Sequence, residues 1–249
     1  MKVAIFMSDR GQDPTEVVAP WKVLSEAHVD IDFVTETGTI PAADPRLLEG
    51  WTQKWLGATR ENVILYRKMA ITESFATPRA WSHADFNVTE YDGILLPGGH
   101  DKAMRQYLES ESLHRHLVQY AKLIERGKGH KVMAAISHGV LVCARAISPD
   151  GQSILHDLET TTLPDWMENV AYYSTALVIG DYYKTYSKMC ADEVRHALRD
   201  SGRQYMRGPT SSQPFFHIDP NHYFLTARYS GDAQVFALQF LKLLRQARI

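Results

Sequence analysis

Residues 133–142 read MAAISHGVLV, a small-residue apolar run that gives way to a second apolar segment with no loop between them. Ser137, His138 and Gly139 make the whole connection. A strand that turns at once into a helix puts its turn residue in a strained conformation and exposes that side chain. The backbone N–H groups of the helix start then point at the same place. In an open parallel sheet such a turn lies at the carboxyl ends of the strands, where ligands bind. The stretch therefore points to an α/β fold. It nominates Ser137 as turn residue, His138 as a neighbouring imidazole and Gly139 as a place where backbone passes closely. Serine is also a good helix cap, so a plain structural turn stays open on these residues alone.

The rest of the chain has the matching rhythm. Lys2–Met7 reads as a buried strand, and Asp13-Pro14-Thr15-Glu16 as a helix start, with an oxygen-bearing cap, a proline and an acid in the first turn. Val29–Thr35, VDIDFVT, is a second strand. This β-α-β order predicts a parallel sheet with a right-handed crossover. Tyr91–Leu96, Lys131–Ile136 and His222–Arg228 read as further strands. Helices are expected over about 110–126, 165–179, 191–199 and 232–248. Residues 44–90 break the rhythm with amphipathic helical sequence carrying Trp51, Trp55, Leu56, Ile64, Leu65 and Met69, too short for a core of its own. Residues 148–162 read as a short polar hairpin, and 201–220, rich in Gly, Pro and Ser, as a loop. The expectation is one domain over 1–249: a three-layer α/β/α sandwich with a mostly parallel, flavodoxin-like sheet and a helical insertion at about 44–90.

Composition excludes several classes. With 45% hydrophobic residues, 22% charged residues and a net charge of −2, the chain carries no electrostatic footprint for nucleic acid or an anionic membrane. No apolar run approaches the ~20 residues of a membrane span, and MKVAIFMSDRGQ is too short in its apolar part for a signal peptide. A cytoplasmic location is expected. Cys143 and Cys190 fit neither a zinc pattern nor a disulfide framework. His217, Asp219 and His222 lack tight ligand spacing, so no metal is expected. The helical spacing of Trp166, Tyr172, Tyr173, Tyr182 and Tyr183 favours core or interface over a substrate pocket. The aromatic-rich insertion and the 165–179 helix exceed what one sheet face buries, which predicts a homodimer.

A second strand end is unusual. LLPGGH at 95–100 places Gly98 and Gly99 where backbone can approach closely and offer N–H donors to an oxyanion, although a tight turn would use the same residues. His100 follows at the pocket mouth. LLPGGH, then AAISHG about forty residues later, with Glu16 in DPTEVVAP, resembles the ThiJ/PfpI superfamily of class I glutamine amidotransferase-like folds. Members include proteases, chaperone-like glyoxalases, the parkinsonism-associated deglycase and isonitrile hydratases. The resemblance implies that Ser137 stands where most relatives have a nucleophilic cysteine, followed by a histidine at His138. It implies that the Glu16 carboxyl contacts the nucleophile, and that the Gly99 region and the His138 N–H provide oxyanion donors. It also implies an acid that orients the histidine, for which Asp165 and Glu168 are available and Asp165 is preferred. Both also suit the positive end of a helix.

The departure is Ser137. A cysteine at a helix start becomes a thiolate, whereas a serine hydroxyl needs a base within hydrogen-bond reach. Three outcomes stay open: Ser137 is a nucleophile, or it orients while Glu16 does acid–base chemistry, or the site is silent. The expected function is a cofactor-independent enzyme acting on a small carbonyl-type metabolite by hydration, hydrolysis or lyase/isomerase-type proton transfer. The alternative is a catalytically silent ligand-binding or chaperone-like protein.

Overall fold

The computed structural model describes residues 1–248, and Ile249, the last residue of the expected domain, lies outside the described residues. Seven strands form the main sheet: β1 (Lys2–Phe6), β2 (Asp30–Thr35), β3 (Arg79–Ala80), β4 (Gly93–Leu96), β5 (Val132–Ile136), β6 (Phe216–Ile218) and β7 (Phe224–Ala227). Their order is β3-β2-β1-β4-β5-β7-β6. All neighbours are parallel except β6 and β7. Strands buried on both faces need apolar residues at every position, and β4 and β5 have them. In β1, Val3 and Ile5 enter one apolar layer while Ala4 and Phe6 enter the other. In β5, Val132, Ala134 and Ile136 share the layer of Val3, while Met133 and Ala135 share that of Ala4.

Helices cover both faces. They are α1 (Pro14–Glu26), α2 (Gly50–Leu56), α3 (Arg60–Ala70), α4 (Glu111–Ala121), α5 (Gly139–Arg145), α6 (Asp165–Ile179), α7 (Cys190–Ala197) and α8 (Ala233–Gln246). α1, α3 and α8 put Val17, Val18, Met69, Phe236 and Phe240 into one core. α4, α5 and α7 put Leu113, Leu117, Val140, Leu141 and Val194 into the other. The connection after β1 leads to β2 on one side, and the chain later returns to β4 on the other. The winding therefore reverses between β1 and β4, and the crevice of such a sheet opens at the carboxyl ends of these strands.

The structure departs from the sequence reading in three places. The 44–90 insertion is helical through α2, α3 and short turns, but its end adds β3 to the sheet edge, Val34 pairing with Arg79 and Thr35 with Ala80. The stretch expected as a hairpin near 148–162 makes only isolated bridges, Ile147 with Ser153 and Thr160 with Tyr205. The loop expected over 201–220 contains β6.

α6 has its apolar side outward. Trp166, Val170, Tyr173 and Val178 are exposed and Leu177 is fully so, at 100%. Glu168 and Thr175 face inward and are buried. Among the described residues no helix is long and apolar enough to cross a membrane.

Gly139 begins α5 directly under β4. A Cβ there would collide with the Leu96 and Pro97 carbonyls, which belong to a packed strand end and have nowhere to move. Gly139→Ala is expected to destabilise the fold by about 2–3 kcal/mol, the scale of overpacking in a rigid site. Urea unfolding checks it, and a loss below about 1 kcal/mol would show that the elbow relaxes freely.

Candidate active site

The site is assembled from three chain segments at the carboxyl edge. The first is the start of α1. The Asp13 Oδ1 caps the helix, accepting from the Thr15 N–H at 2.7 Å and the Glu16 N–H at 3.2 Å, and Pro14 pre-sets the first turn. This cap aims Glu16 inward, where it is 1% exposed.

The second segment follows β4. The Gln12 side-chain amide donates to the Pro97 carbonyl at 2.7 Å, and the Asp13 N–H donates to the Gly98 carbonyl at 2.9 Å. The Gly98 N–H donates to Glu16 Oε2 at 2.8 Å. A side chain at Gly98 would press on that carboxylate and on the His138 nitrogen, so only glycine lets the three segments meet. Because the Gly98 N–H is committed to Glu16, Gly99 is left as the oxyanion-donor candidate of the pair.

The third segment is the elbow after β5. Ser137 has φ +58°, the left-handed region that L-residues other than glycine seldom adopt. Such a residue costs about 1–3 kcal/mol and persists only where its surroundings over-determine it. Here the Ser137 N–H donates to the Ala227 carbonyl at 3.1 Å and the Thr162 hydroxyl donates to the Ser137 carbonyl at 2.7 Å. The Ser137 hydroxyl is buried. It lies close enough to Glu16 to favour that carboxyl's charged form, yet it makes no hydrogen bond of good geometry with any side chain.

His138 is also buried. Its Nε2 lies 3.7 Å from Glu168 Oε1, an ion-pair separation rather than a hydrogen bond, and its Nδ1 has no partner. Glu168 Oε2 accepts from the Cys190 N–H at 2.8 Å. Burial pushes the Glu168 carboxyl up, but His138 and the Cys190 amide outweigh it and hold the group below the ordinary range. Asp165, the acid preferred from the sequence, does not face His138. Its carboxylate pairs with Arg195 at 3.0 Å. The physical reason is depth: Asp165 opens α6 at the half-buried rim, while Glu168 sits one turn further in.

The His100 ring meets the His138 ring edge-on, with 4.8 Å between centroids, and Tyr183 stands on its other side at 5.9 Å. Burial and the nearby His138 hold His100 well below an ordinary histidine, so it is neutral at physiological pH. A cavity of about 270 Å³ opens over these residues, with Asp13, Glu16, His100 and Tyr183 on its polar side. Ser137 and His138 do not line it. Trp166 and Tyr183, which helical spacing assigned to core or interface, do line it, whereas Tyr172 and Tyr173 do not. Asp13 reads in the sequence only as a cap.

Among the described residues no group of three or more His, Cys, Asp or Glu side chains could hold a metal ion. His217 and His222 instead pair with Glu159 and Asp219 at 2.9 and 2.8 Å.

A strained serine elbow, a glycine loop and a buried acid at the switch point of a doubly wound sheet define an α/β protein with a candidate site at its carboxyl edge. The chain belongs to the ThiJ/PfpI family: the ThiJ/PfpI family-like profile matches residues 7–209. It is 29% identical over 247 residues to an uncharacterized protein of Schizosaccharomyces pombe, covering 99% of this chain and 85% of that one. Two solved structures share the fold. Glyoxalase III from Candida albicans superposes with a TM-score of 0.71 at 16% identity, covering 98% of this chain and 97% of that one. The 24 kDa rapid encystment protein of Francisella tularensis does so with a TM-score of 0.67 at 20% identity, covering 98% of each chain.

Burial, opposed by its two backbone hydrogen bonds and assisted by Asp44, lifts the Asp13 carboxyl from 3.8 to about 6. A raised folded-state value means that ionising Asp13 disfavours the fold. That penalty is absent below about pH 4, grows as pH rises, and is complete above about pH 6. Asp13→Asn keeps a capping oxygen and removes the charge. It should leave stability nearly unchanged at pH 4 and raise it by about 1–3 kcal/mol at pH 7. Urea melts at the two pH values check the sign, and a destabilised variant at pH 7 would refute it.

Proposed function

We propose that this protein is a cofactor-independent enzyme that moves a proton on a small carbonyl compound, with Glu16 as the acid–base group. The observation that carries this reading is the Glu16 carboxyl itself. Burial first, then the charge of Asp13, push it well above an ordinary glutamate, against the pull of the Gly98 N–H and the Ser137 hydroxyl. It also lines the cavity. A carboxyl that keeps its proton to higher pH than an ordinary glutamate can donate it to a substrate oxygen and retake one from the neighbouring carbon.

The other residues take supporting roles. Ser137 orients Glu16 or substrate through its hydroxyl, since the neighbouring imidazole faces Glu168 and His100 and gives it no base at hydrogen-bond distance. The Gly99 and His138 N–H groups are the candidate donors to the substrate carbonyl oxygen. His138 and Glu168 back the site as a buried pair, 3.7 Å from Nε2 to Oε1. Hydration, hydrolysis and lyase/isomerase-type proton transfer all need these parts, and the position of Glu16 favours the last. The fold shared with a protein named glyoxalase III agrees with carbonyl chemistry.

The test is a pair of turnover rates on small aldehydes and 2-oxoaldehydes. Glu16→Gln is expected to lose about 10²- to 10⁴-fold, the scale of general acid–base catalysis. Ser137→Ala is expected to lose roughly 10- to 100-fold, the scale of one or two hydrogen bonds. A Glu16→Gln protein nearly as active as the parent would overturn the assignment. Abolition by Ser137→Ala with rescue by Ser137→Cys would make Ser137 the nucleophile. Failure of the parent to turn over any carbonyl compound favours a silent binding member of the family.

A second copy of this chain is the partner we propose for the outward face of α6. Val170, Tyr173, Leu177 and Val178 form a stripe with no charged residue, and Trp51 of α2 is exposed as well. A contiguous exposed apolar stripe of this kind marks an interface more often than free surface. The stripe recurs every three or four residues along one helix, so it can pair antiparallel with itself about a two-fold axis. Sedimentation at tens of micromolar should show a dimer, and Leu177→Glu should shift it to monomer. A monomeric parent, or a dimer indifferent to Leu177→Glu, would exclude this face.

A further inference from the structure

The walls of the cavity are of two kinds. Trp55, Trp166, Tyr183 and Tyr229 contribute aromatic surface, and Asp13 and Glu16 contribute carboxyls. No lysine or arginine lines it. The histidine that does, His100, is held neutral by burial and by His138. Asp13 caps α1 with Oδ1 alone. Tyr183 is 2% exposed, lines the cavity, and its hydroxyl has no hydrogen-bond partner. Asp13 and Glu16 lie three residues apart at the start of α1, and the Asp13 charge helps to raise the Glu16 carboxyl.

This donor set suits one ligand chemistry. An anionic substrate would meet two carboxyls and no cation, so carboxylates and phosphates are disfavoured. A neutral apolar ligand would use the rings but would leave the acid pair and the Tyr183 hydroxyl without a role. A metal ion would need clustered ligands, and none converge among the described residues. A diffuse organic cation uses both features, because aromatic faces attract it through their quadrupoles and nearby carboxyls add direct charge attraction. About 270 Å³ is ample for a trialkylammonium group with a short side arm.

We propose that the cavity binds a small organic ammonium group. Taken with the reaction proposed above, on which this second step rests, the substrate is a carbonyl compound that carries such a cation. The cation sits between the rings and Asp13, and the carbonyl reaches Glu16.

The test uses the full chain and separates the two steps. Calorimetric titration with choline, and with its uncharged isostere 3,3-dimethylbutan-1-ol, isolates the charge. Choline is expected to bind at least about tenfold more tightly than the isostere, the scale of a cation–π contact reinforced by a carboxylate. Asp13→Asn should weaken choline binding severalfold and leave isostere binding nearly unchanged, and Trp166→Leu should weaken choline more than the isostere, since it removes ring quadrupole as well as apolar contact. Near-ultraviolet circular dichroism checks that both variants keep their packing. Equal binding of choline and isostere, no choline binding at tens of millimolar, or indifference of choline to both variants would each overturn the cation site. Choline binding without turnover of any carbonyl compound would overturn the reaction and leave the cation site standing. Turnover confined to neutral aldehydes, with no choline binding, would do the reverse.

Discussion

The Glu16–Gly98 hydrogen bond, 2.8 Å from carboxylate to backbone N–H, is the contact on which the rest of the site depends. It ties the first turn of α1 to the end of β4 at the point where the sheet reverses its winding. A carboxyl taken out of water must be compensated or neutralised. One amide and a nearby hydroxyl are too little compensation for full ionisation, and the Asp13 charge adds repulsion. The group therefore keeps its proton to higher pH, which an acid–base catalyst needs. The same closeness dictates Gly98, since any side chain there would occupy the space of the carboxylate and of the His138 nitrogen.

Ser137 changes the chemistry that this frame supports. In the left-handed conformation at φ +58°, its side chain is directed by the backbone and not by a choice of rotamers in a helix. Its hydroxyl has no partner of good geometry, and the adjacent imidazole lies against Glu168 and His100. A thiol in the same place would gain from the charged surroundings of a helix start. A hydroxyl with a pKa far above neutrality gains little, which is why the proposed function gives the acid–base role to the carboxyl beside it.

The sequence made the central strands legible because four to six consecutive apolar residues between turn signals leave few alternatives, as in Gly93–Leu96 and Val132–Ile136. It hid β3 and β6, since two or three residues are too few to show a period, and their pairing depends on neighbours distant in the chain. The elbow, the glycine loop and Glu16 were legible as motifs at strand ends. The choice between Asp165 and Glu168 was not, because acids three residues apart at a helix start look alike until depth separates them. Trp166 and Tyr183 were read as core or interface, yet α6 turns its polar Glu168 inward and its aromatics toward the cavity and solvent. Helical periodicity reports which residues share a face, not which face is buried.

The far wall of the cavity depends on a buried ion pair that no motif announces. Arg228 and Asp232 are both 0% exposed, with the guanidinium Nε 2.9 Å from Asp232 Oδ2. The pair has further partners: Arg228 also donates to the Pro209 and Gln213 carbonyls, and Asp232 Oδ1 accepts from the Phe215 N–H at 2.9 Å. A buried pair with four of its five guanidinium N–H groups engaged contributes mainly by fixing geometry, because its attraction is largely offset by desolvation. What it fixes here is the 209–215 segment and, next to Arg228 in the chain, Tyr229 and Ser230 on the cavity wall. Asp232 also adds to the field that raises Glu16. Arg228 thus does two things at once: it holds the wall that faces the Glu16 carboxyl, and it neutralises an acid whose free charge would push that carboxyl further from ionisation.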